Sequence, residues 1–167
     1  MTLRGDERDV RDLGCDILDT ATIYGLGRSE ELIGEALGHR RKDYFLASKC
    51  VLGFRDGQRV LDGRPEAIKA ACEASLKRLR TDVIDLYYLH RPDPKVPIED
   101  SAGALADLVK AGKIRFIGLS EMGEAQLRRA LQISLGDPMI LLENPGSATL
   151  LGLAFTCAAP VSVANRH

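Results

Sequence analysis

Four polar residues each come at the end of a short apolar run of this sequence: Asp19, Lys49, His90 and Ser120. Tyr24 follows the first of these runs, in a loop that also contains two glycines. Enzymes built on parallel sheets place their chemistry in this way, with a buried strand holding a functional side chain at its carboxyl end. The pattern therefore predicts one site that is assembled from several strand ends.

Together these residue types suit the donation of a proton to a carbonyl oxygen. A phenol with its ordinary pKa of ~10 is a poor acid at neutral pH, and an ammonium group beside it makes its proton easier to release. A carboxylate next to the ammonium keeps the lysine charged and oriented, while an imidazole can hydrogen-bond a polar substrate atom. The second reactant would then be a cofactor, such as a nicotinamide hydride donor.

Each residue also has a purely structural interpretation. Asp19 can cap the turn after its strand, Tyr24 can be a half-buried aromatic, and His90 can be an ordinary loop residue. Ser120 can be the N-cap of the helix that follows it. Lys49 is harder to explain structurally, because burying an unpaired ammonium is costly. The joint pattern favours catalysis more strongly than any single member does.

Four apolar runs alternate with four segments of helical periodicity, which predicts four strand–helix units and parallel strands joined by right-handed crossovers. Pro65 and Pro97 mark the starts of two helices. Ser29 is the predicted N-cap of the first helix. The predicted strands are Cys15–Asp19, Tyr44–Lys49, Val83–Leu89 and Ile114–Leu119, with residues 137–143 as a candidate fifth, and the last predicted helix is Ala125–Leu135.

Two α/β architectures fit this alternation, a (β/α)8 barrel and an open doubly wound sheet. No β-hairpin is predicted between the strands, and Gly53 to Arg64 is interpreted as a loop rich in glycine and charge. The first strand–helix turn lacks the GxGxxG fingerprint of dinucleotide-binding folds. Reactive residues at four successive strand ends favour the barrel.

Composition excludes several classes of protein. The 167 residues are 45% hydrophobic and 28% charged, which is ordinary for one globular domain. A formal net charge of -1 without a basic stripe argues against a nucleic-acid partner. No apolar run approaches the ~20 residues of a membrane span, and residues 1–11 lack the apolar core of a signal peptide. A cytoplasmic protein is therefore predicted.

The cysteines also indicate a reducing, cytoplasmic location. Cys15, Cys50, Cys72 and Cys157 are widely separated and lie in no CxxC or Cys/His pairing. Buried thiols in a reducing compartment are a better interpretation than zinc ligation, so no metal site is predicted.

Several segments together resemble the aldo-keto reductase superfamily. Asp19 through Gly34, which reads DTATIYGLGRSEELIG, is similar to the first signature of that family. The later blocks of the family are similar to residues Ala71–Leu79, Asp82–His90 and Gly112–Glu121. The resemblance covers roughly residues 9–131 and comes closest to a bacterial and plant group that includes perakine-reductase-like and auxin-induced-like proteins.

This resemblance implies a TIM barrel that uses NADPH to reduce a small-molecule aldehyde or ketone. By position, Tyr24 would be the proton donor, Lys49 and Asp19 would promote release of its proton, and His90 would orient the carbonyl. Ser120 would contact the nicotinamide carboxamide. Glu121 stands beside it, where the family usually has Asn, a change that is also familiar in this subgroup.

The chain also departs from the family pattern. The first strand of the family has no counterpart here, and where its sixth strand carries a Gln the nearest residues are Leu141 and Leu142. The final segments that bind the cofactor phosphates are also missing. Residues 1–135 are therefore predicted to form a partial barrel of four to five strand–helix units, and residues 136–167 an atypical C-terminal tail.

Two functions remain open at this point. One is an NADPH-dependent carbonyl reductase, and the other is a catalytically inactive fragment that serves as an interaction or regulatory module. An incomplete barrel leaves unpaired backbone groups at both sheet edges. Self-association through those edges is therefore expected.

Overall fold

A computed structural model of the chain describes residues 16–55 and 57–134. The predictions made for residues 1–15, for the candidate fifth strand at residues 137–143 and for the tail at 136–167 lie outside these described residues.

Four parallel strands form the central sheet of the described chain. They are β1 (Ile17–Asp19), β2 (Phe45–Cys50), β5 (Ile84–Leu89) and β6 (Ile114–Leu119), and they lie side by side in that order. β5 and β6 are rich in the β-branched, aromatic and leucine residues that pack well on a pleated surface. All three pairings in the sheet are parallel, as the alternation of strands and helices predicts.

Each strand of the sheet is followed by a helix. The four helices are α1 (Arg28–Leu37), α2 (Pro65–Leu79), α3 (Ile98–Lys110) and α4 (Glu124–Ser134). Short 3-10 segments at Tyr24–Gly27 and Gly38–Asp43 flank α1. Pro65 occupies the first turn of α2, where its missing N–H has no intrahelical partner to lose.

The order of the strands distinguishes the two architectures that the sequence left open. A doubly wound sheet reverses its strand order at a switch point and carries helices on both faces. Here strand order follows chain order. Of the helices, α1 contacts α2, α2 contacts α3, and α3 contacts α4. The chain is thus wound in one direction with its helices in one layer, which confirms the prediction of a partial barrel.

One predicted loop contains regular structure. Within Gly53 to Arg64, strands β3 (Leu52–Arg55) and β4 (Gln58–Leu61) pair antiparallel, and Arg55 lies opposite Gln58. The expectation that no hairpin occurs was therefore wrong. The sequence carries an Asp-Gly pair at the turn, which is a strong hairpin signal, and Gly57 has the positive φ of 76° that such turns require.

The start of α1 also differs from its prediction. Gly27, in the left-handed conformation, is the N-cap, and no side chain caps the helix. The hydroxyl of Ser29 instead accepts a hydrogen bond of 2.8 Å from Thr20. Ser29 therefore joins the helix to the end of β1 and does not serve as the N-cap.

The hydrophobic core lies between the sheet and the helix layer. Leu46 and Leu89 on the strands, and Ile68 and Leu105 on the helices, are 0% exposed. Burying a side chain of this size contributes about 1.5–3 kcal/mol. The opposite face of the sheet is less covered, because Ile17 is 61% exposed.

The amino-terminal ends of the central strands are joined by one buried carboxylate. Asp85 is 2% exposed, and its Oδ2 accepts hydrogen bonds from the Leu46 N–H at 2.8 Å and from Arg41 at 2.5 Å. Arg115 of β6 forms an ion pair of 2.8 Å with its other oxygen. Asp85 thus joins β2, β5 and β6 at the end of the sheet remote from the predicted site.

Among the described residues, no helix is long and apolar enough to cross a membrane.

Candidate active site

Backbone hydrogen bonds join the carboxyl ends of the four parallel strands in sequence. Thr22 N–H donates to the carbonyl of Lys49 at 3.3 Å, and His90 N–H donates to the carbonyl of Cys50 at 3.3 Å. Ser120 N–H donates to the carbonyl of Leu89 at 3.1 Å. Because each bond runs between the end of one strand and the next, the residues that follow the strands lie along one edge.

Lys49 is the most enclosed of the predicted site residues. It is 9% exposed, and its ammonium donates to Asp19 Oδ1 at 2.6 Å and to the Thr20 carbonyl at 3.0 Å. The carboxylate and the carbonyl compensate the burial of the positive charge, which would otherwise be costly. The side chain of Asp19 is 57% exposed, so the carboxylate of this ion pair is accessible to solvent.

Tyr24 lies in a tight turn directly after β1. Gly25, Leu26 and Gly27 all have positive φ, at 58°, 57° and 93°. A side chain on Gly27 would also meet Arg78, whose Cδ lies 2.9 Å from the position that a Cβ would take. The turn returns the chain into α1 within a few residues and leaves Tyr24 42% exposed beside Lys49, where a substrate can reach it.

Lys49, Tyr24 and His90 are in mutual proximity. The Lys49 ammonium lies 5.1 Å from the centroid of the Tyr24 ring, within the range of a cation–π interaction. The ring centroids of Tyr24 and His90 are 6.2 Å apart and their planes are nearly perpendicular, at 86°, which is a favoured aromatic geometry. The structure therefore brings together the four residues Asp19, Tyr24, Lys49 and His90.

The environment of His90 favours its neutral form. Burial lowers the pKa of its imidazole below the ordinary value, and the positive charge of Lys49 lowers it further. Its Nδ1 is buried and has no hydrogen-bond partner among the described residues. A neutral imidazole has one N–H donor and one acceptor nitrogen, which are available to polar groups that reach the ring.

A buried carboxylate behind the sheet fixes the elements that carry the site. Glu30 of α1 is 0% exposed and accepts hydrogen bonds from Ser48 Oγ at 2.6 Å and from Arg78 Nε at 2.7 Å. Ser48 directly precedes Lys49 on β2, and Arg78 lies near the end of α2. Because Glu30, Ser48 and Arg78 are distant in sequence, no local pattern in the sequence indicated this connection.

Ser120 and Glu121 lie at the end of β6, where the resemblance predicts contacts with a nicotinamide. Ser120 is half-buried next to the end of β5. Glu121 adopts a φ of 53°, and its carboxylate is held by Arg91, with 2.8 Å between Arg91 Nε and one oxygen and 3.0 Å between Nη2 and the other. The ion pair joins the turns that follow β5 and β6.

The arrangement can hold a proton donor against a fixed positive charge at the open end of a parallel sheet. A carbonyl oxygen near Tyr24 and His90 would meet one phenol and one neutral imidazole, and the ammonium lies behind them. Such an arrangement is chemically suited to proton donation at the carboxyl end of a parallel sheet.

Comparison with known proteins identifies the family. The model of the aldo/keto reductase family matches residues 8–145. The chain therefore belongs to the aldo/keto reductase family.

Two relatives in the same family are each more than twice as long as the part of them that aligns with this chain. The chain is 41% identical to the aldo-keto reductase str7 of Strobilurus tenacellus, in an alignment that covers 89% of this chain and 47% of that protein. It is 45% identical to the aldo-keto reductase yakc [NADP(+)] of Schizosaccharomyces pombe, covering 73% of this chain and 37% of the relative. The chain thus spans less than half the length of these relatives.

Three solved structures are similar in fold to this chain. The glycerol dehydrogenase AKR11B4 of Gluconobacter oxydans is 37% identical, with a TM-score of 0.69 over 74% of this chain and 39% of the other. The holo form of the aldo-keto reductase AKR11C1 of Bacillus halodurans is 38% identical, with a TM-score of 0.67 over 74% of this chain and 42% of the other. An aldo/keto reductase of Klebsiella pneumoniae in complex with NADP and acetate is 33% identical, with a TM-score of 0.59 over 72% of this chain and 39% of the other.

Proposed function

We propose that the chain carries the proton-donating half of an NADPH-dependent reductase that converts aldehydes or ketones to alcohols. The observation behind this proposal is the placement of the Lys49 ammonium, which pairs with Asp19 at 2.6 Å and lies over the ring of Tyr24 at 5.1 Å. A buried ammonium so arranged stabilises negative charge on the phenol oxygen as its proton leaves. Family membership supports the same chemistry.

Each residue has a distinct part in this proposal. Tyr24 donates the proton to the carbonyl oxygen, and Lys49 stabilises the phenolate that results. Asp19 keeps the ammonium charged and directed. His90, held neutral by burial and by Lys49, hydrogen-bonds the carbonyl oxygen and orients it towards Tyr24.

The residues at the end of β6 suit the nicotinamide end of the cofactor. A carboxamide presents one acceptor and two donors, and Ser120 offers a hydroxyl at this edge of the sheet. Glu121, fixed by Arg91, sets the backbone of the turn that carries Ser120. When bound, NADPH supplies the hydride. The yakc relative carries NADP(+) in its name, and the Klebsiella pneumoniae structure contains NADP, which supports this choice of cofactor.

The direct test is the oxidation of NADPH by the purified chain in the presence of an aromatic aldehyde. Tyr24→Phe should abolish turnover, because the ring is kept while the donated proton is lost. Tyr44→Phe is the matched control, since Tyr44 lies at the other end of β2 and its hydroxyl binds the Leu37 carbonyl. Absence of turnover by the unmodified chain at high enzyme concentration would contradict the proposal.

A second candidate is an inactive member of the family that acts as an interaction or regulatory module. It is favoured by the exposure of the sheet face that points away from the helices, where Ile17 is 61% exposed. Fluorescence titration with NADPH separates the two candidates, because micromolar binding is expected only for the reductase.

We also propose that the chain associates with itself, whichever of the two functions it has. In the described sheet β6 is an outer strand, and the edge of an outer strand readily pairs with another chain. Sedimentation should therefore show dimers or larger species, and a compact monomer would contradict it.

We also propose a reducing, cytoplasmic location. Cys50 and Cys72 are both buried free thiols, and burial raises the pKa of Cys72 to about 12. Both thiols are thereby kept protonated and unreactive.

A further inference from the structure

We propose that Tyr88 is a positioning residue of the site, which holds the Lys49 ammonium through its ring in addition to Tyr24, and that Gly118 is required to leave space for the Tyr88 ring. This inference rests on the proposed function, since it concerns the same ammonium. It adds two residues that the chemistry of the strand ends did not indicate.

The pairing of the strands places the three residues in one row. Lys49 on β2 lies opposite Tyr88 on β5, and Tyr88 lies opposite Gly118 on β6. Residues directly opposite one another in a parallel sheet project from the same face. Lys49, Tyr88 and Gly118 therefore form a line across the sheet, next to its carboxyl edge.

The ring of Tyr88 is held over Gly118. A Cβ at position 118 would lie 2.7 Å from Tyr88 Cγ and 2.5 Å from its Cε1, distances that real Cβ atoms do not tolerate. A glycine inside a strand weakens the strand, and it often marks a place where another group approaches closely. Here the approaching group is the aromatic ring of the neighbouring strand.

From this position the ring faces the ammonium. Lys49 Nζ lies 5.8 Å from the centroid of the Tyr88 ring and 5.1 Å from that of Tyr24, so both distances fall within the range of cation–π attraction. Asp19 and the Thr20 carbonyl bind the same ammonium by hydrogen bonds. Two aromatic faces and two oxygens thus enclose the charge and restrict the directions in which the long lysine side chain can turn.

Enclosure by Tyr88 has a chemical consequence for the proposed reaction. Attraction to a second ring holds the ammonium near Tyr24, where its positive charge stabilises the phenolate that is left when the proton departs. Tyr88 acts through Lys49, and its own hydroxyl has no part in this role. A phenylalanine at position 88 should therefore preserve this role, whereas a leucine should not.

The test measures the acetylation of Lys49 in the full chain, by brief treatment with an acetylating reagent and mass spectrometry of the peptides. Tyr88→Leu and Gly118→Ala should each raise the rate at Lys49 by about two- to five-fold, the factor that corresponds to the loss of one cation–π contact. Tyr88→Phe should keep the original rate. Phe116→Leu is the matched control, because Phe116 is an aromatic residue on the same face of β6 that stacks on Phe45, outside the row.

Turnover gives a second readout, the kinetics of NADPH-dependent carbonyl reduction. Tyr88→Leu should lower kcat by about two- to five-fold and leave KM unchanged, because the ammonium is held less firmly beside Tyr24. An unchanged acetylation rate in Tyr88→Leu, or an equal increase in Phe116→Leu, would overturn the role of Tyr88. If the unmodified chain shows no turnover, the proposed function fails, and the acetylation rates still decide the role of Tyr88.

Discussion

Gly34 of α1 packs directly against the backbone of Arg78 at the end of α2. A Cβ at Gly34 would overlap the Arg78 carbonyl oxygen and would lie 2.8 Å from the carbonyl carbon of Leu79. The two helices can approach this closely only because residue 34 has no side chain. This contact places α1, which follows the Tyr24 turn, against α2.

Gly34→Ala should therefore destabilise the chain, although alanine is the better helix former. Overpacking of this kind costs about 1–3 kcal/mol, and the gain in helix propensity is about 1 kcal/mol. Gly103→Ala in α3 is the control, because a Cβ there meets nothing within 4 Å. Urea unfolding should show a lower stability for the first variant and a gain of about 0.5–1 kcal/mol for the second. Equal effects of the two changes would contradict the packing described here.

Asp85→Asn should strongly lower the free energy of unfolding. The change removes the buried charge that Arg41 and Arg115 share at the amino-terminal ends of the strands, and the loss of hydrogen bonds to a charged group costs about 1.5–3 kcal/mol each. Asp107→Asn is a control with the same chemistry, since Asp107 pairs with Lys69 on the surface at 2.7 Å and such pairs contribute about 0–1 kcal/mol. Thermal unfolding of both variants measures the difference, and a small effect at Asp85 would show that the sheet edge does not depend on it.

Glu30→Gln should affect both stability and the site. Glutamine can still accept a hydrogen bond from Ser48, but it loses the charge that holds Arg78. A loss of about 1–3 kcal/mol is expected for a charged hydrogen bond of this kind. Glu31→Gln is the comparison, because Glu31 pairs with Arg28 on an exposed helix surface. If the two variants unfold at the same denaturant concentration, the buried network has no stabilising role.

His90 should make the stability of the chain depend on pH. Its pKa in the folded chain is lowered, first by burial and then by Lys49, so the unfolded chain binds this proton more readily than the folded chain. Stability contributed by the neutral form is thus complete above the unfolded pKa of ~6.5 and decreases as the pH falls from there towards the folded pKa. Unfolding measured across this window should show a weaker pH dependence for His90→Gln, and an identical dependence would contradict the shift.

The sequence predicted the strands well where the apolar runs were clear. The predicted bounds of β6, Ile114–Leu119, agree with the structure, and the grouping of Asp19, Lys49 and His90 followed from the shared edge of a parallel sheet. Periodicity could not reveal Tyr88 as a neighbour of Lys49, because that contact depends on the register between strands distant in sequence. A glycine within the predicted strand at position 118 was the one local signal of it.

The missed features have local causes. The hairpin around Gly57 was overlooked because its strands are short and exposed, with Phe54 at 44% and Leu61 at 36%, so they lack the continuous apolar pattern of the central strands. Ser29 was assigned as a cap from residue type alone, whereas its hydroxyl pairs with Thr20. Tertiary partners decided both positions.

Asp85 and His90 lie at opposite ends of the same short strand. At about 3.3 Å per residue, their α-carbons are roughly 16 Å apart, beyond the distance at which mutational effects usually couple. Substitutions at the His90 end should therefore combine additively with substitutions at the Asp85 end. Evolution, or a protein engineer, can diversify the loops that select a substrate while compensating changes accumulate at the other end of the sheet.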